Sequence, residues 1–367
     1  MKKPFLFCLI LLFSLVAGPA ISEAAPRRGL FVSVIQDPPV LTSRREILKL
    51  VAFAQKARIS VLFVQIYRAN KAWFPSKVGD DTPYKITLKN IPEDPLKLLI
   101  KEAHSAGIEV HAWLNMLSLG VNKDAPLLKK YGPGILTRNL DVKKTLEDYK
   151  IDSQFFLEPG DLRVRHELTN MVGEILRAYP KLDGILFDYI RYPDTKPAYG
   201  YTDMNVERFK KATSVKAVEE QSEVWKDWKR KQVTELLAEL VKKTRAIRPH
   251  IQVSATGCMP YSRAHFEAFQ DWPSWINSGL VNFVTIMTYS PDPPEFERWI
   301  KAVEPEVVDL KKMDIAIGGY KSETSLTSFA KQIRFCEESG VGACVVFHYG
   351  SLLETPDLGR FLTTGKK

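Results

Sequence analysis

The chain has 367 residues, 45% of them hydrophobic and 26% charged, with a formal net charge of +9. This composition fits a globular protein with a sizeable core and excludes disordered, collagenous and cysteine-stapled classes. The basic residues are dispersed, densest from Trp225 to Gln232, and build no nucleic-acid-binding block, so nucleic acid is excluded as a partner.

The N-terminus reads as a secretory signal peptide. Lys2 and Lys3 precede an apolar run from Phe5 to Ala17, and small residues follow, with cleavage after Ala24 or Ala20. Residues 1–24 are assigned to the leader and 25–367 to a single domain, expected to be secreted or periplasmic. In an exported protein a mild basic excess suits an anionic polymer or surface, or plain solubility. No later stretch is long and apolar enough to span a bilayer, so no integral membrane segment is expected after cleavage. Cys258, Cys336 and Cys344 remain in the mature chain. They form no CxxC, and buried free thiols are expected, with pairing of Cys336 and Cys344 as the alternative.

Apolar runs of strand length then alternate with amphipathic helices. The first strand is Gly29 to Ile35. A helix follows, with Ser43 as N-cap, Glu46 completing a capping box, and Ile47, Leu50, Val51 and Ala54 at helical spacing. Ser60 to Tyr67 and Ile108 to Asn115 are the second and third strands, the latter after a helix closed by Gly107. A long loop containing Phe155-Phe156 and Glu158, then a helix, lead to the fourth strand, Gly184 to Ile190. Two helical stretches, Val206 to Val218 and Val224 to Ile247, are either continuous or interrupted. The fifth strand is Ile251 to Gly257; Asp271 is placed as an N-cap in the segment after it. Leu280 to Tyr289, Asp314 to Tyr320 and Val341 to Gly350 complete the set.

Near-continuous apolar strands separated by helices imply a parallel sheet covered on both faces. Eight such units in one chain of this length predict a (β/α)8 TIM barrel. No GxGxxG, P-loop, GxSxG or HExxH is present, and neither a cofactor nor a metal is expected.

The strongest local signal lies in the fourth strand, LDGILFDYIRYP. Gly184, Leu186 and Asp188 share one parity, so an apolar face ends in a carboxylate where the strand should end. In a barrel of this type, that end carries the active site. The other strand ends offer Tyr67 with Arg68, Asn115, Arg191, Thr256, Tyr289 and His348. Aromatic residues crowd the loops beyond them, among them Trp73, Phe74, Tyr84, Tyr192, Tyr199, Tyr201, Tyr261 and Trp272, and suggest platforms for sugar faces. Glycoside hydrolysis requires a carboxylic acid and usually a second carboxylate. Asp188 is the catalytic candidate; Asp37, Glu158, Asp271 and Asp292 are possible partners by loop position. Asp183, of opposite parity, is assigned a structural role, and His111 a place in the core.

RGLFVSV, AWFPSK, EVHAWLN, FFLEPGDLRVR, LDGILFDYIRYP and DWPSWINSGLVNFVTIMTY occur in this order. Together they resemble the glycoside-hydrolase-like family ten, exported bacterial barrel proteins regarded as glycosidases of peptidoglycan glycan strands or related N-acetylhexosamine polymers. The resemblance spans Arg28 to Tyr349 and puts Asp188 at the family's strand-four aspartate. DGILFDYI also resembles, more distantly, the DGxDxDxE strand of chitinase-type family eighteen. Leu186 and Ile190 replace an aspartate and the acid glutamate there, and Ser290 replaces an aspartate after Tyr289, which excludes that mechanism position for position.

The expectation is an exported glycosidase of a bacterial amino-sugar polymer. Asp188 would be its general acid, and Tyr67, Trp73, Asn115, Arg191, Tyr289 and His348 would bind substrate. The alternatives are a non-catalytic glycan-binding barrel, or a lyase or transglycosylase at the same site.

Overall fold

The computed structural model describes residues 26–194, 199–320 and 325–365; the signal-peptide assignment lies outside them. In a nine-stranded sheet, the short strand Lys71–Ala72 pairs antiparallel with the second of eight parallel strands: β1 (Arg27–Val32), β2 (Val61–Arg68), β3 (Glu109–Asn115), β4 (Gly184–Asp188), β5 (Gln252–Cys258), β6 (Phe283–Thr288), β7 (Met313–Gly318) and β8 (Ala343–Phe347). Each pairs with its neighbours in sequence, and β8 pairs with β1, so the sheet closes. This is the (β/α)8 barrel expected from the alternation of elements. β6 and β8 are shorter than their apolar runs, because the flanking residues turn into the connections.

Helices α1 (Arg44–Lys56), α2 (Pro95–Ser105), α3 (Leu162–Ala178), α4 (Glu223–Ile247), α5 (Trp272–Asn277), α6 (Pro293–Val303), α7 (Leu326–Glu338) and α8 (Pro356–Thr364) surround it. Local sequence sets their starts. Ser43 accepts a hydrogen bond from the Glu46 amide at 3.2 Å, and Asp94, Asp161 and Ser222 cap α2, α3 and α4 in the same manner. Asp271 occupies the N-cap position of α5 but makes no capping bond; its carboxylate accepts instead from the Tyr261 hydroxyl at 2.9 Å. The region before α4 is interrupted: a separate helix spans Asp203–Thr213.

Strand alternation divides the core in two. Outward residues such as Ile185 and Phe187 pack with the helices. Inward residues, including Phe31, Phe63, Trp113, Leu186 and Val345, fill the barrel itself. At the N-terminal end of the barrel, Gly184 leaves the space taken by the His111 ring; a Cβ there would lie 2.3 Å from His111 Nδ1. Phe63 and Phe283 enclose the same imidazole, so His111 is a core residue, as expected. Asp183 also has a structural position, accepting from the Val110 amide and contacting His104, each at 2.8 Å.

Two further findings concern the segments outside the barrel strands. Phe155–Phe156 forms a short antiparallel pair with Ser118–Gly120. Cys336 and Cys344 are joined in a disulfide, where free thiols were the expectation. α7 lies directly against β8 and brings the two Cα atoms to 5.9 Å, within bonding range. Cys258 is free and buried.

Candidate active site

A cleft of about 480 Å3 opens at the C-terminal end of the barrel. Its floor is the top of the inner core, where Phe31, Trp113 and Phe347 pack edge to face. Asp188, the last residue of β4, stands at this floor and is 4% exposed.

Each Asp188 oxygen is held. Oδ2 accepts from the Trp113 indole N–H at 2.9 Å. Oδ1 accepts from the Tyr189 amide at 2.7 Å and lies 2.6 Å from the Thr256 hydroxyl. Adjacent strands supply the two side-chain donors, because Asn115 pairs with Asp188 across β3 and β4, leaving Trp113 one inward step below. Thr256 occupies the corresponding inward position on β5. Buried polar groups held in this way lose orientational freedom, which is what a preorganised site requires.

The Arg191 guanidinium stacks on the Tyr189 ring at 4.3 Å and brings Nη1 to 3.7 Å from Asp188 Oδ1. That distance is an ion-pair contact and too long for a hydrogen bond. Arg191 Nη1 is buried with no hydrogen-bond partner, and the group borders the cleft. Arg68, at the end of β2, borders it too, and its side chain makes no hydrogen bond or ion pair among the described residues. The cleft therefore offers two guanidinium groups with donor capacity to spare.

Asn115 lines the cleft and accepts from Gln65 Nε2 at 3.0 Å, while Gln65 Oε1 meets the Ser33 hydroxyl at 3.1 Å. His348 and Tyr289 line the opposite wall. Burial pushes the His348 imidazole below its ordinary value, which favours the neutral ring, and pushes the Tyr289 phenol well above its own. Asn115, Asp188, Arg191, Tyr289 and His348 are thus brought together.

Tyr67 and Trp73 are not. A bulge between Gln65 and Tyr67 sets Tyr67 opposite Leu114, an outward residue, so Tyr67 turns away from the mouth and Arg68 turns in. The Tyr67 hydroxyl is buried and accepts from Asn70 Nδ2 at 2.9 Å. Trp73 packs against the core between barrel and helices. Loop aromatics expected as sugar platforms behave similarly: Tyr192 donates to Glu158, Tyr201 packs on Trp225, and Trp272 packs under Gly257. Instead, Tyr189, Tyr289, Trp299 and Tyr320 face the cleft.

None of the four proposed second carboxylates borders the cleft. Asp37 is exposed in the turn after β1, and Asp292 caps α6. Asp271 is held by Tyr261. Glu158 is enclosed, with its carboxyl pushed up by burial, and accepts from Tyr192 and the Gly160 amide. Among the described residues, the carboxylate that does share the cleft with Asp188 is Asp194, paired with Arg263 at 2.6 Å. Asp194 lies six residues beyond Asp188 in a loop where strand parity gives no guidance. Trp113, by contrast, shares the inward parity of Asn115 and could have been read from β3. Among the described residues, no group of three or more His, Cys, Asp or Glu side chains is arranged to hold a metal.

The family model described as glycosyl hydrolase-like 10 matches residues 28–317. The glycosyl hydrolase DigH of Escherichia coli K12 is 25% identical over 320 residues, covering 76% of this chain and 70% of the relative. The glycosyl hydrolase YngK of Bacillus subtilis strain 168 is 22% identical over 281 residues, covering 68% of this chain and 50% of that protein. Among solved structures, the catalytic domain of a β-amylase from Paenibacillus polymyxa superimposes with a TM-score of 0.58 at 11% identity, covering 93% of this chain and 98% of the other. A β-galactosidase from the psychrophilic Marinomonas ef1 gives 0.58 at 10% identity, covering 88% and 54%. At such identity these two share the fold alone.

Proposed function

The chain belongs to the glycosyl hydrolase-like 10 family, and from that premise we propose that it is an exported glycoside hydrolase of a bacterial amino-sugar polymer, such as the glycan strands of peptidoglycan. The observation carrying this reading is the triple hold on Asp188 at the floor of an aromatic-walled cleft. Asp188 is the catalytic carboxylate of this proposal. The sequence suggested a general acid, but the donors from Trp113 and Tyr189 treat it as an acceptor. That arrangement suits a carboxylate that stabilises or attacks the sugar carbon as positive charge develops there. Asp194, which shares the cleft, takes the proton-handling role.

Arg191 and Arg68 bind an acidic or acetamido substituent, such as a lactyl carboxylate, through their unspent donors. Asn115, Tyr289 and His348 orient hydroxyl groups. Export is supported by the leader-like N-terminus and by the Cys336–Cys344 disulfide, a bond that persists in oxidising compartments.

The test is release of reducing ends from peptide-free glycan strands. Asp188→Asn should abolish release while the circular dichroism spectrum and melting temperature stay close to wild type; full activity in that variant overturns the assignment. One observation favours a second reading, a glycan-binding barrel without turnover: a guanidinium faces each cleft carboxylate. It requires glycan pull-down by both forms and product from neither. Mass spectra distinguish a hydrolase, which adds water, from a lyase or transglycosylase, which leaves an unsaturated or anhydro end.

A further inference from the structure

The end of the barrel opposite the cleft carries a second recess, of about 410 Å3, between the start of β1 and the C-terminal ends of α1, α7 and α8. Among the described residues four cations line it, Arg28, Lys56, Arg58 and Arg334, against one carboxylate, Glu337. Arg28 is committed, donating to Glu337 Oε1 at 2.7 Å and to the Ala57 carbonyl at 3.3 Å. The side chains of Lys56, Arg58 and Arg334 make no hydrogen bond or ion pair among the described residues.

Cations near helix C-termini are expected to some degree, since each end carries about half a negative charge. Three such ends amount to roughly one and a half charges, which is less than the recess's excess of three cations over carboxylates. Solvation of a plain basic surface would account for the remainder were it not for Arg58.

Arg58 follows the C-cap of α1 in the left-handed region, with φ of 56°. The same position is Gly107 after α2, Gly279 after α5 and Gly340 after α7, with φ of 72°, 71° and 71°. The hydrogen bonds match as well: Arg58 and Ile59 donate to Gln55 and Ala54 just as Gly107 and Ile108 donate to His104 and Ala103. Glycine fills this conformation without strain and a side chain does not. At this corner of the recess an arginine stands where glycine is the easy choice, and its guanidinium has no partner among the described residues.

We propose that this recess is a binding site for a phosphate ester, held by the guanidinium forks of Arg58 and Arg334 and the Lys56 ammonium. Guanidinium groups match phosphate oxygens two at a time, and a cluster of them discriminates phosphate from weaker monovalent anions. Because the recess and the cleft lie at opposite ends of the barrel, an occupied recess would hold the protein to a phosphate-bearing surface with the cleft turned outward.

The test uses the mature protein and the Arg58→Gly/Arg334→Gln variant. Calorimetric titration with glycerol phosphate, against sodium acetate at equal ionic strength, should show binding by wild type that weakens at least tenfold in the variant. Reducing-end release should be unchanged, and Arg58→Gly alone should not lower the melting temperature. Co-sedimentation with phosphatidylglycerol vesicles, against phosphatidylcholine vesicles, identifies the source of the ester. Selective sedimentation lost in the variant supports a lipid headgroup; glycerol phosphate binding without sedimentation supports a soluble or polymer-borne phosphate. No selective binding to either probe, or binding equal in wild type and the variant, overturns the proposal.

Discussion

The Trp113 indole N–H donates to Asp188 Oδ2 at 2.9 Å while the Trp113 ring packs edge-on against Phe31 and Phe347. One side chain thus belongs both to the barrel core and to the hold on the catalytic candidate. Trp113→Phe removes the donor and keeps an aromatic ring. It should lower kcat by roughly 10- to 100-fold with KM changed less than about threefold, the pattern of a lost transition-state contact. A cavity costing about 1–2 kcal/mol should accompany it. Steady-state kinetics beside thermal melts separates the two effects; a fall in stability with kcat unchanged would leave Trp113 as core alone.

Tyr67 provides the opposite case. Its hydroxyl accepts from Asn70 behind the barrel wall. Tyr67→Phe should cost about 1 kcal/mol of stability through that lost bond and leave both kcat and KM at wild-type values. A raised KM would return Tyr67 to the cleft.

Asp314, at the start of β7, is enclosed, and burial pushes its carboxyl up to about 8, opposed by the Arg27 charge and a hydrogen bond from the Ala343 amide. Unfolded, it titrates near 3.9, roughly the ordinary aspartate value. The fold therefore favours the neutral acid. Its contribution is fully present below about pH 4 and is lost as pH rises through about 8. Asp314→Asn is neutral throughout and keeps an acceptor. Its melting temperature should match wild type near pH 4 and exceed it by several degrees at pH 9; equal pH slopes in the two proteins would refute the shift.

The Cys336–Cys344 bond closes a short loop, with a sequence separation of 8, between α7 and β8. On the chain-entropy argument its removal costs about 2–3 kcal/mol. The Cys336→Ala/Cys344→Ala protein should melt lower than wild type, and dithiothreitol should lower the wild-type melting temperature without affecting the variant. Identical melting of wild type with and without reductant would show that the bond contributes nothing.

The barrel was legible because its signal is repeated: eight apolar runs, each reinforced by the helix after it. Asp188 was legible for a local reason, since the parity of Gly184 and Leu186 fixed its face. Asp194 was not, because the loop after β4 has no period to follow. Loop aromatics misled for a related reason. A tyrosine such as Tyr192 serves equally well as a platform or as a buried donor, and only the position of Glu158 decides between them. The disulfide depended on how closely α7 approaches β8, which spacing along the chain does not reveal.

The bulge in β2 also bears on how relatives of this protein should be aligned. Up to Gln65, counting by twos along the strand finds every inward side chain; beyond it, the count is off by one. A relative lacking the extra residue reaches the barrel mouth one position sooner. Matched column by column without a gap at Ile66, the residue in its Arg68 column would lie one step beyond its mouth residue. Any inventory of charge at this rim compiled from ungapped alignments would therefore compare side chains that face opposite sides of the wall.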